Sequence, residues 1–409
     1  TITGVDDALD DGDIAYGIVT AAATSADSTY NGLDASDVSV TNADNDASGV
    51  TVTPTSGLTT TEAGGTATFT IVLTAQPTAS VTVGLSSSNT AEGTVSPSSV
   101  TFTSGNWSTP QTVTVTGVDD FLADGSVAYS IVTAAATSSD LNYSGLNASD
   151  VSVTNSDNDS AVITVTPTSG LTTTEAGGTA TFTVVLTSQP TANVTIGLSS
   201  SNTAEGTAGP SSVTFTSGNW NTPQTVTITG VDDFVVDGAV AYSIVTAAAT
   251  SSDLNYSGLN ASDVSVTNTD DDTAGFNVSA ISKNTTEPGG TATFTIRLTS
   301  QPTANVTVGL TSSNTAEGTV SPSSVTFTSA NWSTPQTVTV TAVDDDLDDG
   351  NVAYSIVTAP ATSGDAAYAG LNPSDVAVTN ADDDTSGFGL STISGNTTES
   401  GGTATFSIA

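Results

Sequence analysis

Trp107, Trp220 and Trp332 mark one position of a repeat about 113 residues long, and Glu62, Glu175, Glu287 and Glu399 mark another. The segment Thr-Phe-Thr-Ser-Gly-Asn-Trp stands at 101–107 and returns unchanged at 214–220. A repeat of roughly 20–50 residues must stack on its neighbours to bury anything and builds a solenoid. A repeat this long can close a core of its own, so the chain is expected to be a string of independent domains. Residues 1–46 read as the second half of a repeat, 47–159, 160–272 and 273–384 as complete repeats, and 385–409 as the start of another. Both ends cut a repeat, so the sequence is expected to be an excerpt of a longer protein.

Within 47–159 apolar residues alternate with threonine: Ala67, Phe69, Ile71 and Leu73, then Val81, Val83 and Leu85, then Val100 with Phe102 and Val113 with Val115. Val127, Tyr129 and Ile131 follow, and Val151 with Val153 closes the unit. Period two over short runs separated by Gly, Pro, Asn and Asp predicts strands, and β-branched threonine suits their wet faces. No stretch has a 3.6-residue period. The fold class is therefore all-β: a tandem array of immunoglobulin-like antiparallel β-sandwiches of about seven strands each. Trp107, just before a strand, is expected to plug one end of the sandwich, with Tyr129 and Tyr143 in core or corner positions.

The charge balance is extreme, with 42 acidic against 2 basic side chains and a net charge of −40. The only cations are Lys283 and Arg297. This excludes nucleic acid as an electrostatic partner and an anionic membrane as a surface. No apolar run is long enough for membrane insertion. With 36% apolar residues in strand-like runs, disorder is excluded as well. Without Cys or His there is no disulfide, no thiolate or imidazole metal site and no Ser-His or Cys-His catalytic set.

The acids recur in phase. Val118-Asp119-Asp120 through Asp124-Gly125 follows a strand, and the same run appears at 5–12, 231–238 and 343–350. A second acidic run ends each repeat, as in Asn155-Ser156-Asp157-Asn158-Asp159. If the strands before the two runs share a direction, Glu62, Asp119, Asp120, Asp124, Asp157 and Asp159 meet at one pole. The corresponding sets are Asp6, Asp7, Asp11, Asp44 and Asp46; Glu175, Asp232, Asp233, Asp237, Asp270 and Asp272; and Glu287, Asp344, Asp345, Asp349, Asp382 and Asp384. So many carboxylates in one volume need cations. Calcium, which takes roughly six to eight oxygens at about 2.3–2.6 Å, suits them better than magnesium, which keeps its waters, or zinc, which wants His or Cys. An EF-hand counted from Asp120 fails, because Leu122 and Ile131 fall where acidic ligands belong. Glu92, Asp140 and Asp150 are left elsewhere. Placed where one repeat gives way to the next, such a clamp is expected to join neighbouring repeats and stiffen the array.

The stretches Glu-Ala-Gly-Gly-Thr-Ala-Thr-Phe-Thr-Ile-Val-Leu (62–73) and Val-Thr-Phe-Thr-Ser-Gly-Asn-Trp-Ser-Thr-Pro-Gln-Thr-Val-Thr-Val-Thr-Gly-Val-Asp-Asp (100–120) resemble a Calx-β domain. That module occurs in the regulatory loops of sodium–calcium exchangers and in very large bacterial surface proteins. The resemblance covers all three complete repeats and both fragments. It implies a calcium site drawn from the early Glu, the paired Asp, a later acid and the terminal Asp cluster, the same six residues in 47–159. The segment 140–150 makes a longer final hairpin than the family leads one to expect. The Asp-rich linkers are also similar, over a shorter span, to those of cadherins.

Three function classes follow from the sequence. The first is a structural, calcium-rigidified spacer in an extracellular fibre, adhesin stalk or surface layer at a bacterial cell surface, with self-association into filaments through edge strands. The second is a module binding a glycan or another cell-surface partner, with Trp107, Tyr143 and the loop 140–150 as contacts. The third, an enzyme, is disfavoured, because a catalytic carboxylate pair would not be copied into every linker.

Overall fold

The computed structural model describes residues 1–409 and contains strands but no helices. In the first complete repeat nine strands form: β1 (Val50–Thr53), β2 (Leu58–Thr61), β3 (Thr66–Leu73), β4 (Val81–Ser87), β5 (Gly93–Ser96), β6 (Ser99–Phe102), β7 (Gln111–Gly117), β8 (Val127–Thr133) and β9 (Val151–Ser156). One sheet has the order β1-β3-β7-β5 and the other β2-β9-β8-β4-β6. The expected two-sheet sandwich is present. Its strand number exceeds seven because two four-residue strands, β2 and β5, each extend one sheet edge.

The alternation dictates the packing. Phe69, Ile71 and Leu73 on β3 and Val113 and Val115 on β7 point inward. They meet Val81, Val83, Tyr129, Ile131 and Val153 from the facing sheet. The threonines between them stay outside and pair across strands, as where Thr82 and Thr101 hydroxyls approach to 2.9 Å. Tyr143 is fully buried, its hydroxyl accepting from the Ala75 amide at 3.1 Å and donating to the Ala75 carbonyl at 2.5 Å. This corrects the expectation that Tyr143 offers a glycan contact: the ring is a core anchor for the 140–150 loop. Trp107 is half-buried and packs on the edge of the same core, in the plugging role expected of it.

The next repeat copies this plan. The repeat 273–384, fourth in chain order when the fragment 1–46 is counted, departs from it: the strand corresponding to β2 shrinks to Thr285–Thr286, with Lys283 in place of Leu171. The segment before it stays on the other sheet, where Ser279 and Ser282 side chains accept from the Thr295 and Thr293 amides. Residues 1–46 contribute the paired strands Ile14–Ile18 and Val38–Asn42.

Candidate metal centre

The register of the strands gathers the acids. β2 runs parallel to β9, with Thr61 beside Ser156, so Glu62 and the Asp157–Asp159 linker emerge side by side. β7 is antiparallel to β3 with Thr116 opposite Thr66, which brings Asp119 and Asp120 to the same pole. Gly117 makes the approach possible: a Cβ there would collide with the Thr61 carbonyl and the Asn155 side chain. Gly125 closes the loop in the left-handed region at φ 80°, where only glycine is unstrained. Its amide donates to Asp157 Oδ2 at 2.7 Å, tying loop to linker.

Two carboxylate groups result in the first complete repeat. Glu62, Asp157 and Asp159 place oxygens within 4.8 Å of one another, and so do Glu92, Asp120 and Asp124. Sequence reasoning left Glu92 out of the site. It is buried, accepts from the Asn155 side-chain Nδ2 at 3.3 Å, and sits just before β5, whose Gly93 lies opposite Gly117. Its signal was available: Asn-Thr-Ala-Glu-Gly recurs at 89–93, 202–206 and 314–318. Asp119 stands beside the groups, its carboxylate accepting from the Asn158 side-chain Nδ2 at 3.4 Å. Asp140 and Asp150 lie apart and serve the loop instead, capping Thr78 and Thr133.

In the following repeat Glu175, Asp270 and Asp272 form the first group and Glu205, Asp233 and Asp237 the second, while Glu175, Asp232 and Asp271 form a third. In the fourth, Asn380 donates to both Glu287 and Glu317, at 3.0 and 3.4 Å, and so links the corresponding pair of glutamates. Asp345, Asp349 and Asp382 lie near Glu287, and Asp344 and Asp382 near Asp384. In 1–46, Asp6, Asp7, Asp11, Asp44 and Asp46 line one common surface. In each of the groups named here, all carboxylates come from a single repeat. Among these groups no carboxylate is contributed by the neighbouring sandwich.

The neighbouring sandwich is reached by the backbone of the acidic loop. The Phe121 carbonyl accepts from the Gln189 amide at 2.6 Å, and the Ala123 carbonyl from the Asn255 side chain at 2.7 Å. Phe234 repeats the first contact with Gln301.

Electrostatically the pole is unbalanced. Burial, reinforced by the charges of Asp157, Asp120 and Asp159, raises the Glu62 carboxyl above its ordinary range. Burial also raises Glu175, to about 7, with Asp270, Asp233 and Asp237 adding to the push. Asp124, Asp159, Asp237 and Asp272 are displaced the same way, by burial first and neighbouring carboxylates second. Asp159 Oδ2, Asp272 Oδ2, Asp384 Oδ2 and Glu287 Oε2 are buried with no hydrogen-bond partner. Orphaned anionic oxygens carry a desolvation cost that only a cation or a proton relieves. The donors are all oxygen, and a hard cation fits such a set.

Against known proteins, no curated sequence matches. The Calx-beta domain profile matches residues 43–159, 156–272 and 267–384. Among solved structures, the crystal structure of CBD12 from CALX1.2 is 13% identical, with 50% of this chain and 82% of that one covered at a TM-score of 0.25. That of the calcium-binding domain CBD12 of CALX1.1 is 15% identical, with 49% and 80% covered at 0.26. Domains 4–9 of the surface layer protein SbsC are 16% identical, with 91% and 56% covered at 0.20. Matched by the profile along all three complete sandwiches, the chain belongs to the Calx-beta family, whose domains are calcium-binding modules.

Proposed function

We propose that this chain is a structural repeat segment of a long extracellular fibre, adhesin stalk or surface layer, and that calcium rigidifies it at each pole. The observation that carries this is the set of buried, partnerless carboxylate oxygens on Asp159, Asp272, Asp384 and Glu287, each at the end of a sandwich. Glu62, Asp157 and Asp159 would hold one cation and Glu92, Asp120 and Asp124 another, with Asp119 at their side. A bound divalent cation neutralises charges that otherwise repel, and it fixes the Asp119–Gly125 loop against the linker. Because the ligands converge only in the folded sandwich, cation affinity is converted into folding stability.

Near-identical units in series suit a role in spacing better than one in catalysis, and the poles offer carboxylates without a nucleophile or proton relay beside them. Self-association of such fibres through edge strands belongs to the same proposal. Calcium titration by calorimetry, with melting curves in calcium and in chelator, tests it. Binding of more than one ion per complete repeat and a higher melting temperature in calcium are expected. A chain that binds none, or melts identically in both, overturns the proposal.

A further inference from the structure

The four acidic loops differ at two positions that face the neighbouring sandwich. Where Phe121 stands in one, the others have Ala8, Phe234 and Asp346; where Ala123 stands, they have Asp10, Val236 and Asp348. Two residues beyond the last linker acid the chain has Ser48, Ala161, Ala274 and Ser386. The changes are concerted. Asp10 Oδ2 accepts from the Ser48 amide at 2.8 Å, and Asp348 Oδ2 from the Ser386 amide at 2.6 Å. Ala123 and Val236 go with alanines instead.

The apolar loops also carry a ring. Phe121 lies 5.8 Å from Trp220, centroid to centroid, and Phe234 lies 5.6 Å from Trp332, both tilted at 43°. At Ala8 both loop contacts persist, the Ala8 carbonyl accepting from the Gln76 amide at 2.6 Å and the Asp10 carbonyl from the Asn142 side chain, but the loop brings no ring to Trp107.

We propose that the junctions between repeats are of two kinds: those after Phe121 and Phe234 are pinned by a Phe–Trp contact that holds two sandwiches aligned without bound cation, and those after Ala8 and Asp346 are hinges whose alignment depends on it. An aromatic contact draws its strength from dispersion and apolar burial, which chelation leaves untouched. At the acid junctions Asp10 joins Asp6, Asp7 and Asp44 around Asp46, and Asp346 joins Asp344, Asp382 and Asp383 around Asp384. Without a cation these like charges repel within one pole and loosen the loop that carries the contact to the next sandwich. An array built this way keeps three complete repeats in line and bends at the acid joints. The cation dependence of the hinges rests on the calcium proposal above, whereas the pinning does not.

The full chain has no cysteine, so spin labels can be placed singly. Nitroxides at Ser99→Cys and Ser212→Cys report the first pinned junction, and labels at Ser212→Cys and Ser324→Cys the second. All three serines are exposed. In chelator both native distance distributions are expected to stay within about twofold of their width in calcium. The triple variant Phe121→Ala, Ala123→Asp, Ala161→Ser is expected to broaden the first distribution in chelator and to sharpen it again in calcium. The second junction is the internal control for folding and should not move. Phe121→Ala alone, a milder change, is expected to broaden the first distribution in chelator to a smaller extent. Native junctions that broaden on chelation as much as the variant, or a triple variant that stays narrow in chelator, overturn the proposal. Absence of calcium binding by calorimetry would remove the calcium proposal by itself, leaving pinning to be judged from native and variant widths in chelator.

Discussion

Oδ2 of Asp157 accepts the Gly125 amide at 2.7 Å while its Oδ1 accepts the Asp159 amide at 2.6 Å. One carboxylate thus holds the acidic loop and shapes the linker. Replacing it by alanine releases both and removes a ligand, so Asp157→Ala is expected to weaken calcium binding in its repeat by about tenfold or more. Asp157→Asn keeps an acceptor for Gly125 and removes a charge. It is expected to raise the melting temperature in chelator while lowering calcium affinity, a split that calorimetry and melting curves measure together.

Glu92 is buried at 5% exposure beside Asp120 and Asp124. Glu92→Gln preserves its volume and can still face the Asn155 amide. The expected outcome is the loss of about one bound calcium per chain with the fold intact, because the Glu62 group is a separate cluster. Unchanged stoichiometry in a calcium titration would remove Glu92 from the ligand set.

The pH dependence has an unusual sign. Burial, with nearby carboxylates, holds Glu175 at about 7 in the folded chain against an ordinary value of 4.5. Between those values the folded state binds protons that the unfolded state has released, so stability falls as pH rises through the window. In chelator the melting temperature is therefore expected to increase on acidification from about pH 8 to about pH 5, the reverse of ordinary acid denaturation. Calcium should cancel the trend, since it needs the carboxylates charged. Melting curves across pH, with and without calcium, check both arms.

Gly117 cannot carry a side chain without driving it into the Thr61 carbonyl. Gly117→Ala is expected to destabilise its repeat by about 1–3 kcal/mol. In the fourth repeat Ala342 occupies the same place at 5% exposure, beside a strand of two residues rather than four. Ala342→Gly should cost far less, and denaturant melts of the two variants measure the asymmetry.

The sandwich was legible because alternation over Thr66–Leu73 and Gln111–Gly117 exposes the buried face directly. Leu58–Thr61 and Gly93–Ser96 were not, since each has a single apolar residue and takes its conformation from the strand beside it. Glu92 was overlooked for the same reason. It lies far along the chain from every Asp run, and only the pairing of Gly93 with Gly117 delivers it to the pole. The contact of Phe121 with Trp220 was hidden by the repeats' near identity, which draws the eye to shared residues when those that differ decide how neighbours meet.

The parallel ladder between Leu58–Thr61 and Val151–Ser156 joins the second strand of a repeat to its last. Once the four-residue β1 has been pulled from its own sheet, traction through the two ends drags these strands in opposite directions along their length. All rungs of the ladder are then loaded in shear at once, where an end-on peel would break them singly. The fourth repeat, with only Thr285 and Thr286 so engaged, is the link expected to give way first when such a chain is stretched.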